Sequence, residues 1–313
     1  MSSHFNNPLI IYHADCNDGF GAAYAAWRHF GDAAEYLPMK YGQPAPEVTG
    51  RSVYVLDFSF PPEVMQEIHD DASLLVWLDH HKTAFEAAAS IEFIPKEATA
   101  LELGYANSLL RVKSDRAHVL LDNYKAGCIL AWEHFFPAEP VPLLLQHIDD
   151  RDRWQFKLYG TKEMHAFLSS VNRTFDSWDA IASAGHFLDN MRAHGASILA
   201  AQERTLQSMI AATTRRITLT GIDGLCANLP PCFASEGGHL LATESGTFGL
   251  TWYVTTDAKV SCSLRSNGDF DVSAIAKQFG GGGHKNAAGF TLPGDQVVWF
   301  GAGFLESDQP VEM

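Results

Sequence analysis

The chain has little cysteine and no cysteine motif. Its five cysteines, Cys16, Cys128, Cys226, Cys232 and Cys262, are scattered and odd in number, and none forms a Cys-x-x-Cys pair. That excludes a disulfide frame and a structural zinc knuckle, and leaves reduced cysteines in or near a core. Positive charge is also scarce. Against 37 Asp and Glu there are 22 Lys and Arg, a formal net charge of −15. A protein that coats long nucleic acid by neutralising many phosphates carries a basic face. Any phosphates bound here are expected to be few at a time, held by metals, backbone amides and a handful of cations. No apolar run is long enough to span a bilayer, and Met1 to Asn7 lacks the basic-then-apolar plan of a signal peptide. A cytoplasmic protein is the expectation. Internal repeats and low-complexity segments are absent too.

Apolar sequence is plentiful. Hydrophobic residues make up 46% and aromatics 12% of 313 positions, enough for a sizeable core and two domains. Leu9-Ile10-Ile11-Tyr12 reads as a strand, followed by a loop from His13 to Asp18 and an alanine-rich helix from Gly19 to Phe30. Ser52 to Leu56 is a second strand ending at Asp57, and Pro61-Pro62 opens a helix through His69. Leu74 to Leu78 is a third strand ending at Asp79. Strands alternating with helices predict an α/β fold with a parallel sheet. Helical pattern returns at Ala126 to Phe136, at Val141 to Ile148, and over most of Thr161 to Thr213, where Phe187 to Ile210 is long enough to connect domains. After Arg216 the texture turns to strands at Arg216 to Leu219, Gly249 to Thr255 and Val260 to Leu264, with a short helix from Val272 to Phe279. The expected division is a first domain over 1–185, a helical connector over 186–214, and a smaller α/β domain over 215–313.

Polar residues follow each early strand: His13/Asp15/Asp18, then Asp57, then Asp79/His80/His81. In open α/β sheets ligands bind at the carboxyl ends of strands, so these groups are expected in one crevice. Hard divalent cations want carboxylate oxygens, and Mn²⁺ also accepts imidazole. Two such ions about 4 Å apart can clamp the attacking and leaving oxygens of a phosphoryl displacement. The inventory fits: His13, Asp15, Asp18, Asp57, His80 and one acid of Asp149-Asp150-Arg151-Asp152. A single Asp after a strand is more often a turn former or cap; the joint pattern is much harder to obtain that way. Downstream, Gly280-Gly281-Gly282-Gly283-His284-Lys285 brings backbone amides close to an anion in the manner of a nest, and Arg265 ends a strand with a guanidinium suited to phosphate. A flexible linker is the bland reading of the glycines, but the run is short and bracketed by apolar sequence.

These residues together resemble the DHH phosphoesterase superfamily, in the subgroup with a C-terminal DHH-associated domain. The resemblance covers nearly the whole chain. Its motifs are His13 to Gly19, Val55 to Ser59, Asp79-His80-His81, Ile148 to Trp154, Ser263 to Ser266, and Gly280 to Phe290. It implies a parallel-sheet first domain, a helical connector, and an active site in the inter-domain cleft. His13 and acids of the first motif would hold one metal and Asp57 would bridge both. His80, Asp18 and a fourth-motif acid would hold the second. That acid is Asp150 by its spacing to Trp154, with Asp152 next. Asp79 would orient His80, and His81 would face the scissile phosphate, so that Asp57, His80 and His81 form the catalytic set. Arg265, Gly281, Gly282, Gly283 and His284 would seat the substrate.

The cofactors implied are two divalent cations, Mn²⁺ first, with Mg²⁺ or Co²⁺ as alternatives. The partner implied is a short single-stranded oligonucleotide or a nucleotide, with no membrane, no obligate protein partner, and a homodimer by family habit. Within the family the reactions include degradation of very short RNAs, dephosphorylation of bisphosphorylated nucleotides, hydrolysis of cyclic dinucleotides and exonucleolytic cutting of single strands. Oligoribonuclease or exonuclease chemistry on short substrates ranks first, and pyrophosphate or polyphosphate lower. A rival reading is a nucleotide sensor with catalysis weakened. The departure that motivates it is Cys16, which stands where many relatives carry the earlier carboxylate of Asp-x-Asp-Gly. Either Asp15 or His13 compensates, or one metal binds weakly; ligation by Cys16 itself is the alternative, disfavoured for Mn²⁺ because thiolate prefers softer ions. Phe58, Phe60, Trp154 and Phe290 are candidates for stacking a base.

Overall fold

In the computed structural model, β1 (Leu9–His13) lies between β2 (Glu35–Met39) and β3 (Ser52–Leu56), and β4 (Leu74–Asp79), β6 (Ala117–Asp122) and β5 (Leu109–Lys113) complete a six-stranded sheet in the order β2-β1-β3-β4-β6-β5. The structure describes residues 7–96, 109–183, 188–297 and 304–305. It divides into two compact units, Met1–Leu199 and Ala200–Met313. All pairings in the first sheet are parallel except that of β5 with β6. The expected parallel sheet is present, with one antiparallel edge strand added.

Side chains alternate across this sheet with period two. Leu9, Ile11, Val53, Val55, Leu75 and Trp77 pack on one face with α2 (Pro62–Asp71) and α3 (Lys82–Ala88). Ile10, Leu56, Val76 and Leu78 pack on the other. There they meet α1 (Asn17–Phe30), α4 (Gly127–Phe135), α5 (Leu143–Asp152) and α7 (Phe175–Ala182), while α6 (Thr161–Leu168) follows α5 in the chain. Burial on both faces is why the strands read as unbroken apolar runs. β2 escaped the sequence pattern because it carries Pro38, which a ladder tolerates at an edge, and β2 is the edge.

The long helix α8 (Leu188–Thr213) contains the division between the units. Phe187, where that helix was expected to begin, lies outside the described residues. In the second unit the sheet order is β11-β12-β10-β9-β8-β7-β13. Its strands are β7 (Arg215–Leu219), β8 (Ile222–Asn228), β9 (Phe248–Val254), β10 (Lys259–Ser266), β11 (Gly282–His284), β12 (Ala287–Pro293) and β13 (Phe304–Leu305). One face packs Ile217, Phe248, Leu250, Cys262 and Leu264 against Val272, Ile275 and Ala276 of α10 (Val272–Gln278). The other packs Ala227 and Leu229 against Leu206 of α8 and Leu241 of α9 (Ala234–Ser245). α9 is invisible to propensity because it holds adjacent glycines, which weaken an isolated helix. Packing requires one of them: a Cβ on Gly238 would sit 2.8 Å from Cγ of Arg265.

Candidate functional site

The first unit gathers its polar groups at the carboxyl ends of β1, β3 and β4, neighbouring parallel strands. His13 is the last residue of β1, Asp57 follows β3, and Asp79 ends β4 just before His80 and His81. Asp57 adopts a left-handed backbone, φ +52°, a conformation that costs a non-glycine residue about 1 kcal/mol. Its amide donates to the Leu78 carbonyl at 2.8 Å, which fixes the turn. Gly127, the first residue of α4, leaves room for it: a Cβ there would lie 2.5 Å from Asp57 Cβ. Asp18, in the first turn of α1, is aimed by the start of α4, whose Gly127 and Cys128 amides donate to its two oxygens at 2.7 and 2.8 Å.

Asp57 is 1% exposed and turns one oxygen each way. Oδ2 lies 3.7 Å from His13 Nδ1, while Oδ1 lies 3.2 Å from His80 Nε2 and 3.7 Å from His81 Nδ1. His80 Nε2 is also 3.3 Å from Asp18 Oδ2 and 3.6 Å from Asp152 Oδ2. These approaches are ionic without hydrogen-bond geometry. His13 Nδ1, both oxygens of Asp57 and His80 Nε2 are buried with no hydrogen-bond partner. Buried polar atoms are nearly always satisfied, so four orphans in one place need a cause. A cation answers it, because every orphan is an atom type that ligates metal. Three overlapping donor sets have their ligand atoms within 4.8 Å of one another: His13, Cys16 and Asp57; Asp18, His80 and Asp152; and Asp57, Asp79, His80 and His81.

In the second unit Arg265 lies on β10, donating from Nη1 to the Leu264 carbonyl and from Nη2 to Ser235 Oγ, each at 2.9 Å. The glycine run is less open than a nest. The Gly280 and Gly281 amides close the end of α10, donating to Lys277 and Ala276 carbonyls at 3.1 and 2.9 Å. Gly282, Gly283 and His284 then form β11, in register with Gly289, Ala288 and Ala287. The expectation of a free amide cradle is corrected to that extent. Lys285 Nζ is paired with Asp269 Oδ1 at 2.8 Å.

Residues 238–299 match the DHHA1 domain family, a span that includes Arg265 and the whole glycine-rich stretch. That span is a DHHA1 domain, the C-terminal associated domain that the sequence resemblance implies. A relative, uncharacterized protein R106 of Acanthamoeba polyphaga mimivirus, is 29% identical over 310 residues, covering 91% of this chain and 68% of that one. Among solved structures, the DHH domain of a member of the s1p family of ribosomal proteins aligns over 96% of this chain and 85% of its own, with TM-score 0.59 and 12% identity, a likeness of fold. A pGpG-specific phosphodiesterase, PggH from Vibrio cholerae, aligns over 95% of this chain and 99% of its own at TM-score 0.47 and 10% identity.

Two expected ligands stand outside the cluster. Asp150 accepts from the Lys157 and Leu158 amides at 2.8 and 3.0 Å and from Thr161 Oγ1 at 2.6 Å, so its carboxylate holds the loop after α5. Asp152 is the acid that reaches His80. Two residues apart on a helix means about 200° of rotation, so only one of the pair can face the site. Asp149 is occupied by Arg153 and the Ala126 amide. Asp15 is the second correction. Its side chain is 72% exposed and paired with Lys40 Nζ at 2.6 Å, and Cys16 takes its place beside His13 and Asp57. Asp79 is the third. It was expected to orient the His80 ring; instead Oδ1 accepts from His81 Nδ1 at 2.6 Å and from the His80 and His81 amides at 2.7 and 3.1 Å. Phe58, Phe60 and Phe290 are core. The ring that sequence reading missed is Tyr41, 53% exposed, 5.4 Å from His13 and stacked on Phe58 at 4.8 Å. It sits in a loop, where no periodic signal marks it.

The buried acids and imidazoles of this cluster shift one another's ionisation. Burial pushes the His80 pKa down, but Asp18, Asp57 and Asp152 override it and hold His80 well above the ordinary imidazole value. Burial and the Asp18 charge raise Asp152, while Asp57, though burial pushes it up, is drawn below the ordinary carboxyl range by His13, His80 and His81. Metal binding should displace such protons and stabilise the fold. At 100 times its dissociation constant a cation contributes about 2.7 kcal/mol, or about 5–10 °C in Tm for a unit of this size. A thermal scan with Mn²⁺ against the same protein in chelator checks this; equal Tm values would deny a metal centre here.

Proposed function

We propose that the protein is a metal-dependent phosphoesterase that hydrolyses phosphate esters of short oligonucleotides or nucleotides. The observation that carries it is Asp57, a buried carboxylate with two unpartnered oxygens between two sets of metal-ligating atoms. His13, Cys16 and Asp57 would hold one cation, and Asp57, Asp18, His80 and Asp152 the other. Such a pair supplies an activated water and neutralises charge that builds on the phosphoryl oxygens. His81, gripped at Nδ1 by Asp79, would donate a proton through Nε2 to the departing oxygen. Two features favour a short substrate with a nucleoside. The net charge of −15 suits few phosphates at once. Tyr41 offers a half-exposed ring beside the cluster on which one base can stack.

The test is a hydrolysis screen with Mn²⁺, with and without chelator, on a 5′-labelled dinucleotide and pentanucleotide, a 3′,5′-bisphosphorylated nucleoside, a cyclic dinucleotide and pyrophosphate. Chelator-sensitive release of mononucleotides from the short RNAs is the expected result. No hydrolysis of any of them by the metal-loaded protein would overturn the reading and leave the nucleotide sensor. Arg265→Ala should raise KM about tenfold, the scale of one lost charge-assisted hydrogen bond, with kcat little changed. Unchanged KM on every hydrolysed substrate would take Arg265 out of substrate binding.

A further inference from the structure

We infer that Cys16 is itself a metal ligand. The position formed by His13, Cys16 and Asp57 therefore prefers a softer divalent ion, of the Zn²⁺, Fe²⁺ or Co²⁺ class, to Mg²⁺ or Mn²⁺. The inference rests on the metal centre proposed above and says which ion one half of it selects. Cys16 Sγ, His13 Nδ1 and an Asp57 oxygen lie within 4.8 Å of one another. Cys16 is the N-cap residue of α1, yet it makes no side-chain cap hydrogen bond. The independent observation is on its neighbours: His13 Nδ1 and both Asp57 oxygens are buried without hydrogen-bond partners, and Asp57 is 1% exposed. The nearby acid that would make this an oxygen-rich position, Asp15, is bound to Lys40.

The two halves of the centre therefore differ in chemistry. Asp18, His80 and Asp152 give one nitrogen and two carboxylates, a set suited to Mg²⁺ or Mn²⁺. His13, Cys16 and Asp57 give one nitrogen, one sulfur and one carboxylate, and thiolate favours softer ions. A nucleophilic role for Cys16 is the competing use of the thiol. It is disfavoured because burial, and then the acids around it, Asp57, Asp152 and Asp18, oppose a further negative charge there unless a cation is present. On ligation the S–H bond breaks, the sulfur pair goes to the metal and the proton leaves to solvent. No electron is transferred.

The test is a Co²⁺ titration of the chelator-stripped protein followed by absorption. The wild type should show visible d–d bands together with a near-ultraviolet thiolate-to-cobalt charge-transfer band. Cys16→Ser should keep the visible bands and lose the near-ultraviolet one. Cys16→Asp should also lose it, and in competition should shift the preference from Zn²⁺ toward Mn²⁺ by at least about tenfold, since even outer partners of ligands move affinity that far. X-ray absorption of the zinc-loaded wild type needs no variant, and should show a sulfur neighbour at about 2.3 Å. Visible bands without the near-ultraviolet one, or only nitrogen and oxygen around zinc, would overturn the assignment and leave the metal centre standing. A near-ultraviolet band that persists in Cys16→Ser would place the thiolate on another cysteine and also overturn it. No cobalt spectrum at all would remove the assignment and the metal centre together.

Discussion

Asp57→Asn should lower kcat by about 10³-fold or more, with the fold intact. The estimate follows the cost of removing one preorganised electrostatic group from a water-poor site, and Asp57 would serve two ion positions where such a group serves one. The neutral amide keeps the shape of the side chain, so α4 can still pack its Gly127 against the turn. It lacks the charge and one of the two acceptor oxygens that lie between His13 and His80. Two readouts accompany the rate. Bound metal, counted by atomic emission, should fall to one ion or none per chain. Binding of a labelled dinucleotide should survive better than turnover. A variant that hydrolyses at the wild-type rate would show that Asp57 bridges nothing. A wild type that binds nucleotide but never turns it over, with a variant that behaves alike, would favour the sensor.

Much of the fold and of this site is legible in the sequence, for a physical reason. A parallel strand buried on both faces must be apolar until it leaves the sheet, so polarity begins where the crevice begins. His13, Asp57 and the Asp79-His80-His81 run mark those exits without ambiguity. What was illegible turns on rotation. Asp150 and Asp152 differ by helix phase, which the acidic run alone does not set. Asp15 and Cys16 differ by one loop residue, and Asp15 takes a left-handed φ of +58° that carries its side chain toward Lys40. The glycines show the same limit: a run of four is compatible with a nest or with a strand, and pairing with β12 decides for the strand.

Asp79→Asn should remove a pH dependence from the metal-free protein. Burial lowers the His81 pKa, but the Asp79 carboxylate outweighs it and raises His81 to about 9. The same contact, reinforced by His80 and Ser59, holds Asp79 well below the ordinary carboxyl value. These are two ends of one interaction and count once. A group raised in the fold contributes fully below its unfolded value, about 6.5 for imidazole, and loses that contribution as pH rises through about 9. Asp79, depressed, contributes above about 4 and loses it only in strong acid. The pair is therefore worth most between about pH 4 and 6.5, by about 3 kcal/mol from the His81 shift. In chelator, the wild type should lose about 6–12 °C of Tm between pH 6 and pH 9.5 beyond what the variant loses. Proton resonances of His81 should titrate near 9 in the wild type and clearly lower in the variant, where Asp57 is left to oppose burial and the His80 charge. Parallel Tm profiles for the two proteins would mean that Asp79 holds the His81 ring by shape alone. The alkaline limb of kcat/KM would then owe nothing to this pair, and His81 would lose its claim as the proton donor.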